Sequence, residues 1–350
     1  MRLRLFLLKR TLTSVPILFG VILILFLIFS YMGAQEVYST KIPIVSDSFF
    51  SSVISYFKFV FNIFSGHWGY LSLPPGIQGY TGSVVFWVSV DFPMTFEMVL
   101  FSIAIALVIS FPLGRYLGTH YHGTISTLLR NLVSLGFAMP AYMTGFILLT
   151  IFGKGVIQGN PLAVFPTSGF ISYNALGLFP PKWLLSNGNL ISSPTHMIVF
   201  DALIHDNLPI AWSALIHLVL PVTTLVISIT GILTFMLQSG YADNMGLEYV
   251  RNARSKGLTE KDVILHHVKR NAVLPELASS TIMIAYLLSN IVMVEYVYTY
   301  PGAGTLLIDT IAQHQYYPTS VIIFLFAVIM IVSSIIVDII YFAKNPLVRN

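Results

Sequence analysis

Cysteine is absent from the 350 residues, which excludes disulfides, thiolate metal sites and thiol catalysis. Charge is the second shortage. Asp, Glu, Lys and Arg together make 9% of the chain, against roughly a quarter in an ordinary soluble domain. So sparse a supply cannot cover a water-facing surface, and a bilayer must replace much of it. Catalytic signatures are missing too. There is no G-x-x-x-x-G-K-[ST] phosphate loop, no H-E-x-x-H helix and no G-x-S-x-G turn, which removes the usual residues of an ATPase, a zinc hydrolase or a membrane-embedded serine hydrolase. Gly302-Ala303-Gly304-Thr305 follows no strand and is not a nucleotide site. His266 and His267 are adjacent, hence about 100° apart on a helix, and His120 and His122 have strand spacing in a short loop, so no metal site is expected.

What remains is hydrophobic. Apolar residues make 56% of the chain and the mean hydropathy is +0.81. Six segments approach the about 20 apolar residues that a membrane helix needs: 11–31, 96–117, 132–152, 211–237, 277–294 and 319–342. Pro16, Pro112, Pro140 and Pro221 fall inside them, which neighbouring helices can accommodate. With the N-terminus inside, fourteen of the eighteen Lys and Arg residues are cytoplasmic, and only Lys41, Lys58, Lys154 and Lys182 are outside. The positive-inside rule therefore puts both termini in the cytoplasm of a multi-pass protein of the cell membrane. A cleaved signal peptide is the rival for the first segment, but its apolar run is too long and no A-x-A-like site follows.

The expected architecture is all-α. Residues 1–31 form a basic start and the first span, 32–92 an external segment, 93–152 spans two and three, and 153–210 an external insertion. Span four is 211–238, a cytoplasmic loop is 239–275, and 276–350 hold spans five and six with the tail. The two external segments carry aromatics (Trp68, Tyr70, Trp87, Tyr173, Trp183) that suit either folded caps or an interfacial aromatic belt. No internal repeat is present. With the cations parcelled out between spans, membrane lipid is an expected partner and nucleic acid is not.

The loop from Glu248 to Pro275 is the most structured polar stretch. Tyr249, Val250 and Ala253 share a helical face, with Arg251, Arg254 and Lys256 around it. Gly257 stands where a helix ends in a left-handed residue, and Thr259-Glu260-Lys261-Asp262 has the form of a capping box that opens a second helix. That helix would bring Val263, Ile264, His267 and Val268 together, with Lys269 and Arg270 in its last turn and Pro275 at the turn into the next span. The expectation is a stiff elbow showing a small apolar face ringed by cations, able to pass a partner's motion to the adjoining spans. An ordinary positive-inside loop, or a helix lying on anionic lipid, is the plainer alternative.

Those residues resemble the EAA loop of the dipeptide/oligopeptide branch of ABC importer permeases, in its A-R-x-K-G-L…H-x-x-R-N-x-x-x-P form: Ala253, Arg254, Lys256, Gly257, Leu258, His267, Arg270, Asn271 and Pro275. Other stretches resemble that family in the same order. They are the basic start before the first span; Asp91-Phe92-Pro93-Met94-Thr95-Phe96-Glu97; Phe111-Pro112-Leu113-Gly114; Phe165-Pro166-Thr167-Ser168-Gly169; His217-Leu218-Val219-Leu220-Pro221; Glu295 with Tyr300-Pro301-Gly302-Ala303-Gly304; and Val337-Asp338 with Tyr341 and Pro346. The resemblance implies a type I importer permease fold of six transmembrane helices that moves peptides by alternating access. It implies a second homologous permease subunit, two ATP-binding subunits and an external solute-binding protein as partners. ATP and Mg would be bound by those partners, with no cofactor and no catalysis in this chain. Glu248, Arg251 and the loop motif would couple to the ATPase, and Glu295, Pro301, Gly302 and Gly304 would form an outer gate. Two departures stand out. The family's turn after span one is not matched at Tyr31-Met32-Gly33-Ala34, and about forty residues (170–212) replace a short link before span four.

Three acids, Glu97, Glu295 and Asp338, lie in or beside apolar runs, where an unpaired carboxylate costs around 2.5–3.5 kcal/mol at mid-bilayer. Glu295 reads as a gate anchor or as a carboxylate satisfied by local backbone donors, and Asp338 as half of a salt bridge near the inner surface. Oligosaccharide import by the same machinery, or ion-coupled secondary transport, are the alternative functions.

Overall fold

The computed structural model of the protein describes residues 3–31, 49–71, 82–120, 123–172 and 195–344. Lys41, Tyr173, Lys182, Trp183 and Pro346 lie outside the described residues. Nearly all of what is described is helix, in chain order α1 (Leu3–Tyr31), α2 (Phe49–Phe64), a two-residue hairpin β1 (Tyr70–Leu71) and β2 (Gly82–Ser83), α3 (Val84–Thr119), α4 (Thr124–Ala138), α5 (Ala141–Phe152), α6 (Ile198–Ile204), α7 (Leu208–Met245), α8 (Glu248–Ser255), α9 (Glu260–Asp262), a π-helical turn (Val263–Val268), α10 (Lys269–Val297), α11 (Ala303–Ala312) and α12 (Tyr316–Lys344). The chain is an all-α, multi-pass membrane protein.

Among the described residues, α1, α3, α7 and α12 are each long and apolar enough to cross a bilayer, and α4 with α5 makes a fifth candidate, bent by 105°. The bend corrects the expectation of one continuous span over 132–152. Met139 is extended at φ −78°, ψ 130° and Pro140 stands before the new helix. A residue before proline is pushed out of the helical region. The fifth expected span, 277–294, falls within α10, whose described apolar stretch is Thr281–Val297. Position 275 lies inside this continuous helix rather than at a turn. Pro275 therefore does not end one element and start another. Two boundaries also move. α3 begins at Val84, taking in the end of the segment expected to be external, and α7 runs past 238 to Met245.

α7 is the central post, and over its apolar window two thirds of it is buried. Its core with α3 and α10 includes Met94, Met98, Leu225, Ile229, Leu287 and Ile291. Membrane helices gain little from the hydrophobic effect against each other, so close packing of small residues supplies the attraction. Gly114 and Gly118 show this on α3. A Cβ at Gly114 would stand 2.5 Å from Leu237 Cβ, and one at Gly118 would stand 2.7 Å from the carbonyl oxygen of Gln238. Gly114 in the Pro-Leu-Gly stretch is therefore a helix-contact residue. A second core joins α1, α2, α11 and α12 with the start of α3, where Trp87 is buried rather than placed in a belt. At the end away from the hairpin, Arg10 on α1 pairs with Asp338 on α12 at 2.5 Å and also donates to Ser334 Oγ, the expected salt bridge.

Candidate functional site

Two places carry the residues that the sequence marks out, one at each end of α10. The first is the elbow. α8 opens with the exposed acid Glu248 in its first turn, the favourable sign for a helix N-terminus. It is tied to the end of α7 by Tyr249, whose hydroxyl donates to Asn244 Oδ1 at 2.8 Å. Gly257 closes α8 with φ +78°, a left-handed conformation that a side-chain-bearing residue rarely adopts. Thr259 then caps α9, accepting from Asp262 N at 3.2 Å and donating to Asp262 Oδ2 at 2.6 Å. The acid of the capping box thus holds the Thr259 hydroxyl instead of reaching back to the backbone.

The elbow corrects the expected surface in three respects. Val250, Ala253, Val263 and Val268 do not face a partner. They are buried with Tyr241 of α7 and Ala272 of α10 in a separate small core. The π-helical turn makes this possible, because Val263 and Val268 are five apart and would lie about 140° apart on a regular α-helix. His267 is exposed on the other side of that turn. Arg254 is also committed internally, with Nε on Glu260 Oε1 at 2.6 Å and Nη2 on Oε2 at 3.3 Å, a two-point brace across the Gly257 corner. The elbow's outward surface includes Glu248, Arg251, Lys256, Lys261, His266, His267, Lys269, Arg270 and Asn271, all exposed, and two apolar side chains, Leu247 and Leu258, exposed at 48% and 39%.

The second place is the junction of α3, α10 and α11. Glu295 is wholly buried at the end of α10. Its Oε1 accepts from Thr95 Oγ1 at 2.5 Å, and its Oε2 accepts from the backbone N–H of Gly304 at 2.7 Å and of Thr305 at 3.2 Å. Thr95 Oγ1 in turn accepts from Ala303 N at 2.8 Å. Together the two side chains satisfy the first N–H groups of α11, where a negative charge is favoured. The glycines leave room for this. A Cβ on Gly302 would overlap the Glu295 carboxylate, and one on Gly304 would lie 2.5 Å from Val292 Cα. Glu295 is therefore satisfied by local donors, and Pro301, Gly302 and Gly304 form the turn that delivers them. The turn is tied to the Pro-Thr-Ser-Gly stretch by Gly169 N, which donates to Thr299 O at 3.3 Å. Tyr298 locks it from below, with its hydroxyl donating to Gly145 O at 3.0 Å and lying 2.9 Å from Thr224 Oγ1.

Glu97, two residues beyond Thr95 on α3, makes a parallel closure. It accepts from Val199 N at 3.3 Å and Phe200 N at 3.0 Å, capping α6 within the insertion expected to be external. The part of the insertion from 195 onward is thus anchored in the bundle. Thr95 and Glu97 were within a stretch singled out by sequence, but their partners lie 200 and 102 residues away, and no local pattern marks them. Beside the Glu295 cap a cavity of about 490 Å³ is lined by Phe146, Tyr296, Val297, Thr299, Pro301, Thr305 and Asp309. Burial holds the Asp309 carboxyl above its ordinary range. No cluster of His, Asp and Glu able to hold a metal exists among the described residues.

Residues 110–350, more than half of the chain, match the family described as "Binding-protein-dependent transport system inner membrane component". The chain is 26% identical over 352 residues to the oligopeptide transport system permease protein AppB of Bacillus subtilis, covering 97% of this chain and 98% of that one. It is 27% identical over 259 residues to the dipeptide transport system permease protein DppB of Haemophilus influenzae, covering 74% and 72%. It is 32% identical over 133 residues to the glutathione transport system permease protein GsiC of Salmonella typhimurium, covering 38% and 44%.

Proposed function

This chain belongs to the binding-protein-dependent transport system inner membrane component family, and on that premise we propose that it is the membrane-spanning subunit of an ATP-driven importer of peptides. The peptide reading is supported by two relatives that cover most of the chain, an oligopeptide and a dipeptide permease. As a permease subunit it is not itself an enzyme. A second homologous permease, two ATP-binding subunits and an external solute-binding protein would complete the machine, with ATP and Mg held by the ATP-binding pair. The excess of cations on one side supports cytoplasmic termini, which puts the elbow in reach of the ATPase and the Glu295 cap at the outer face.

The construction of the elbow carries the mechanical part of this reading. Its core includes Tyr241 from α7 and Ala272 from α10, so displacement of α8 is passed to both spans without slack. The Gly257 corner, the Thr259 cap and the Arg254–Glu260 brace resist bending within the elbow itself. An ATPase would grip the exposed Leu247 and Leu258 with the cations Arg251, Lys256 and Arg270 around them. At the other end, Glu295 and Thr95 hold α11 against α3 and α10, so movement of those helices would reposition the turn at the outer mouth. Leu258→Glu, which adds a charge to the outward face while leaving the buried core alone, tests this. The variant should insert normally but fail to retain the ATPase on purification. Retention at the wild-type level would remove the docking assignment.

A further inference from the structure

The exposed side of α2 has no place in the account above. α2 has 16 residues, and its apolar stretch Ser52–Phe64 is shorter than a span. One face of it, with Phe59, Val60 and Ile63, is buried in the core shared with α1 and α12. The opposite face carries Phe50, Ile54, Phe57, Phe61 and Phe64, each between 55% and 78% exposed. Their spacing of four, three, four and three residues makes one unbroken helical stripe. A contiguous apolar patch of this kind is not left facing water on a stable surface.

Contacts along two neighbouring helices show how deep α2 lies. On α1, the apolar span is Arg10–Phe29, with Phe19 at its middle. The Tyr56 hydroxyl donates to the carbonyl oxygen of Phe19 at 3.0 Å. The Phe26 ring lies 5.7 Å from the Tyr56 and Phe59 rings, and the Phe19 ring lies 6.2 Å from Phe64. On α12, the Tyr317 ring in the first turn lies 5.6 Å from Phe59, and the Phe324 ring lies 5.4 Å from Phe64. Seven helical residues separate Tyr317 from Phe324, about 10 Å along the axis. The ends of α1 and α12 meet where Phe29 stacks on Tyr316 at 5.3 Å, so both helices measure depth from the same membrane face. From Phe59 to Phe64, α2 therefore runs inward from that face.

The chain then returns to it. The Tyr317 hydroxyl donates to His67 O at 2.8 Å, and Trp68 Nε1 donates to Ile63 O at 2.8 Å. Ser65 N and His67 N donate to Phe61 O and Asn62 O, and Ser65 Oγ lies 2.7 Å from His67 Nδ1. These polar groups of the turn find their partners within the protein, as irregular backbone below a membrane surface requires. The β1–β2 hairpin then leads into α3.

We propose that α2 is a re-entrant helix in the leaflet where α1 ends, and that lipid acyl chains cover its Phe50–Phe64 stripe. The stripe continues the lipid-facing surface of α1, where Leu23 and Leu27 are exposed at 42% and 50%. Lys58, exposed on the same side, has the stem length to carry its ammonium up to the headgroups. The segment expected to be an external cap is in this part an extension of the membrane domain, whatever solute the chain carries.

Because the chain has no cysteine, single-cysteine spin labels need no background removal. Labels at Ile54, Phe57 and Phe61, with Leu23 as the lipid reference and Tyr70 as the aqueous one, should be placed in the full-length protein, purified in the assembly it forms in its own membrane and returned to lipid vesicles. Collision rates with oxygen and with a water-soluble nickel chelate are then compared. At Phe57 and Phe61 the oxygen-to-chelate ratio should exceed that at Tyr70 by several-fold and approach that at Leu23, with a smaller excess at Ile54. A chelate-dominated ratio at Phe57 and Phe61 would overturn the proposal in favour of a water-facing cap. Low collision with both reagents would overturn it in favour of a protein partner. If a label at Phe61 disturbs assembly, Ile54 decides the matter, since lipid, water and protein predict the same three outcomes there.

Discussion

The elbow and the Glu295 cap both close a helix N-terminus with a side-chain oxygen, but they do so in opposite surroundings. At the elbow, Thr259 and the Arg254–Glu260 brace are solvent-exposed, and a core of six buried side chains holds the corner. At the cap, Glu295 has no exposed surface, accepts three hydrogen bonds, and is enclosed by glycines that leave no room for a methyl group. Exposed caps and ion pairs are each worth about 1 kcal/mol or less. A buried carboxylate stripped of its donors costs several times that. Damage at the cap should therefore disturb the whole bundle, whereas damage at the elbow should disturb what the bundle is connected to.

Substitutions at the cap should show the largest effects. Gly304→Val places side-chain atoms against the α10 backbone and should cost about 3 kcal/mol, read as a fall in thermal stability in detergent together with lost uptake. Gly246→Ala, where a Cβ meets nothing within 4 Å, should change neither. Glu295→Gln keeps the shape but weakens the charge-assisted bonds to Thr95, Gly304 and Thr305, for about 2 kcal/mol. It should reduce uptake more than membrane insertion, and equal uptake by the two proteins would make the charge dispensable.

Elbow variants should leave stability nearly unchanged and alter coupling. Gly257→Val forces a β-branched residue to φ +78°, a strain of about 1–2 kcal/mol that the elbow would relieve by straightening. The ratio of ATP hydrolysed to solute moved should rise, while Gly257→Asn, which tolerates this conformation, should stay near wild type. The smallest effect belongs to the brace. A double-mutant cycle of Arg254→Ala and Glu260→Ala should give a coupling of about 0.2–1 kcal/mol. A value above that would mean the pair is shielded in the assembled transporter.

Much of the elbow was legible because its signals are local. Gly257 as a helix end and Thr259 as a cap need only a few neighbouring residues, and both stand as expected. The direction of the apolar face was not legible. A helical stripe of Tyr249, Val250 and Ala253 looks the same whether it meets a partner or its own protein, and the π-helical turn that brings Val263 and Val268 to one side leaves no mark in composition. At the cap, the Pro-Gly-rich turn after Glu295 was visible, and so was the choice between a gate anchor and a locally satisfied acid. Two of its donors are indeed local backbone groups, those of Gly304 and Thr305 just beyond that turn. Thr95 could not be assigned, because its partner is 200 residues distant.

By itself the sequence determined the class of this protein. Long apolar runs, sparse charge and one-sided cations follow from the cost of placing charge and unpaired backbone in hydrocarbon, which every residue meets separately. Tertiary structure decided the bend at Pro140, the helical run through position 275, the packing of α2 along α1 and α12 and the burial of the elbow's apolar face. Each depends on which neighbour a segment packs against, and a contact between residues far apart in the chain has no local trace.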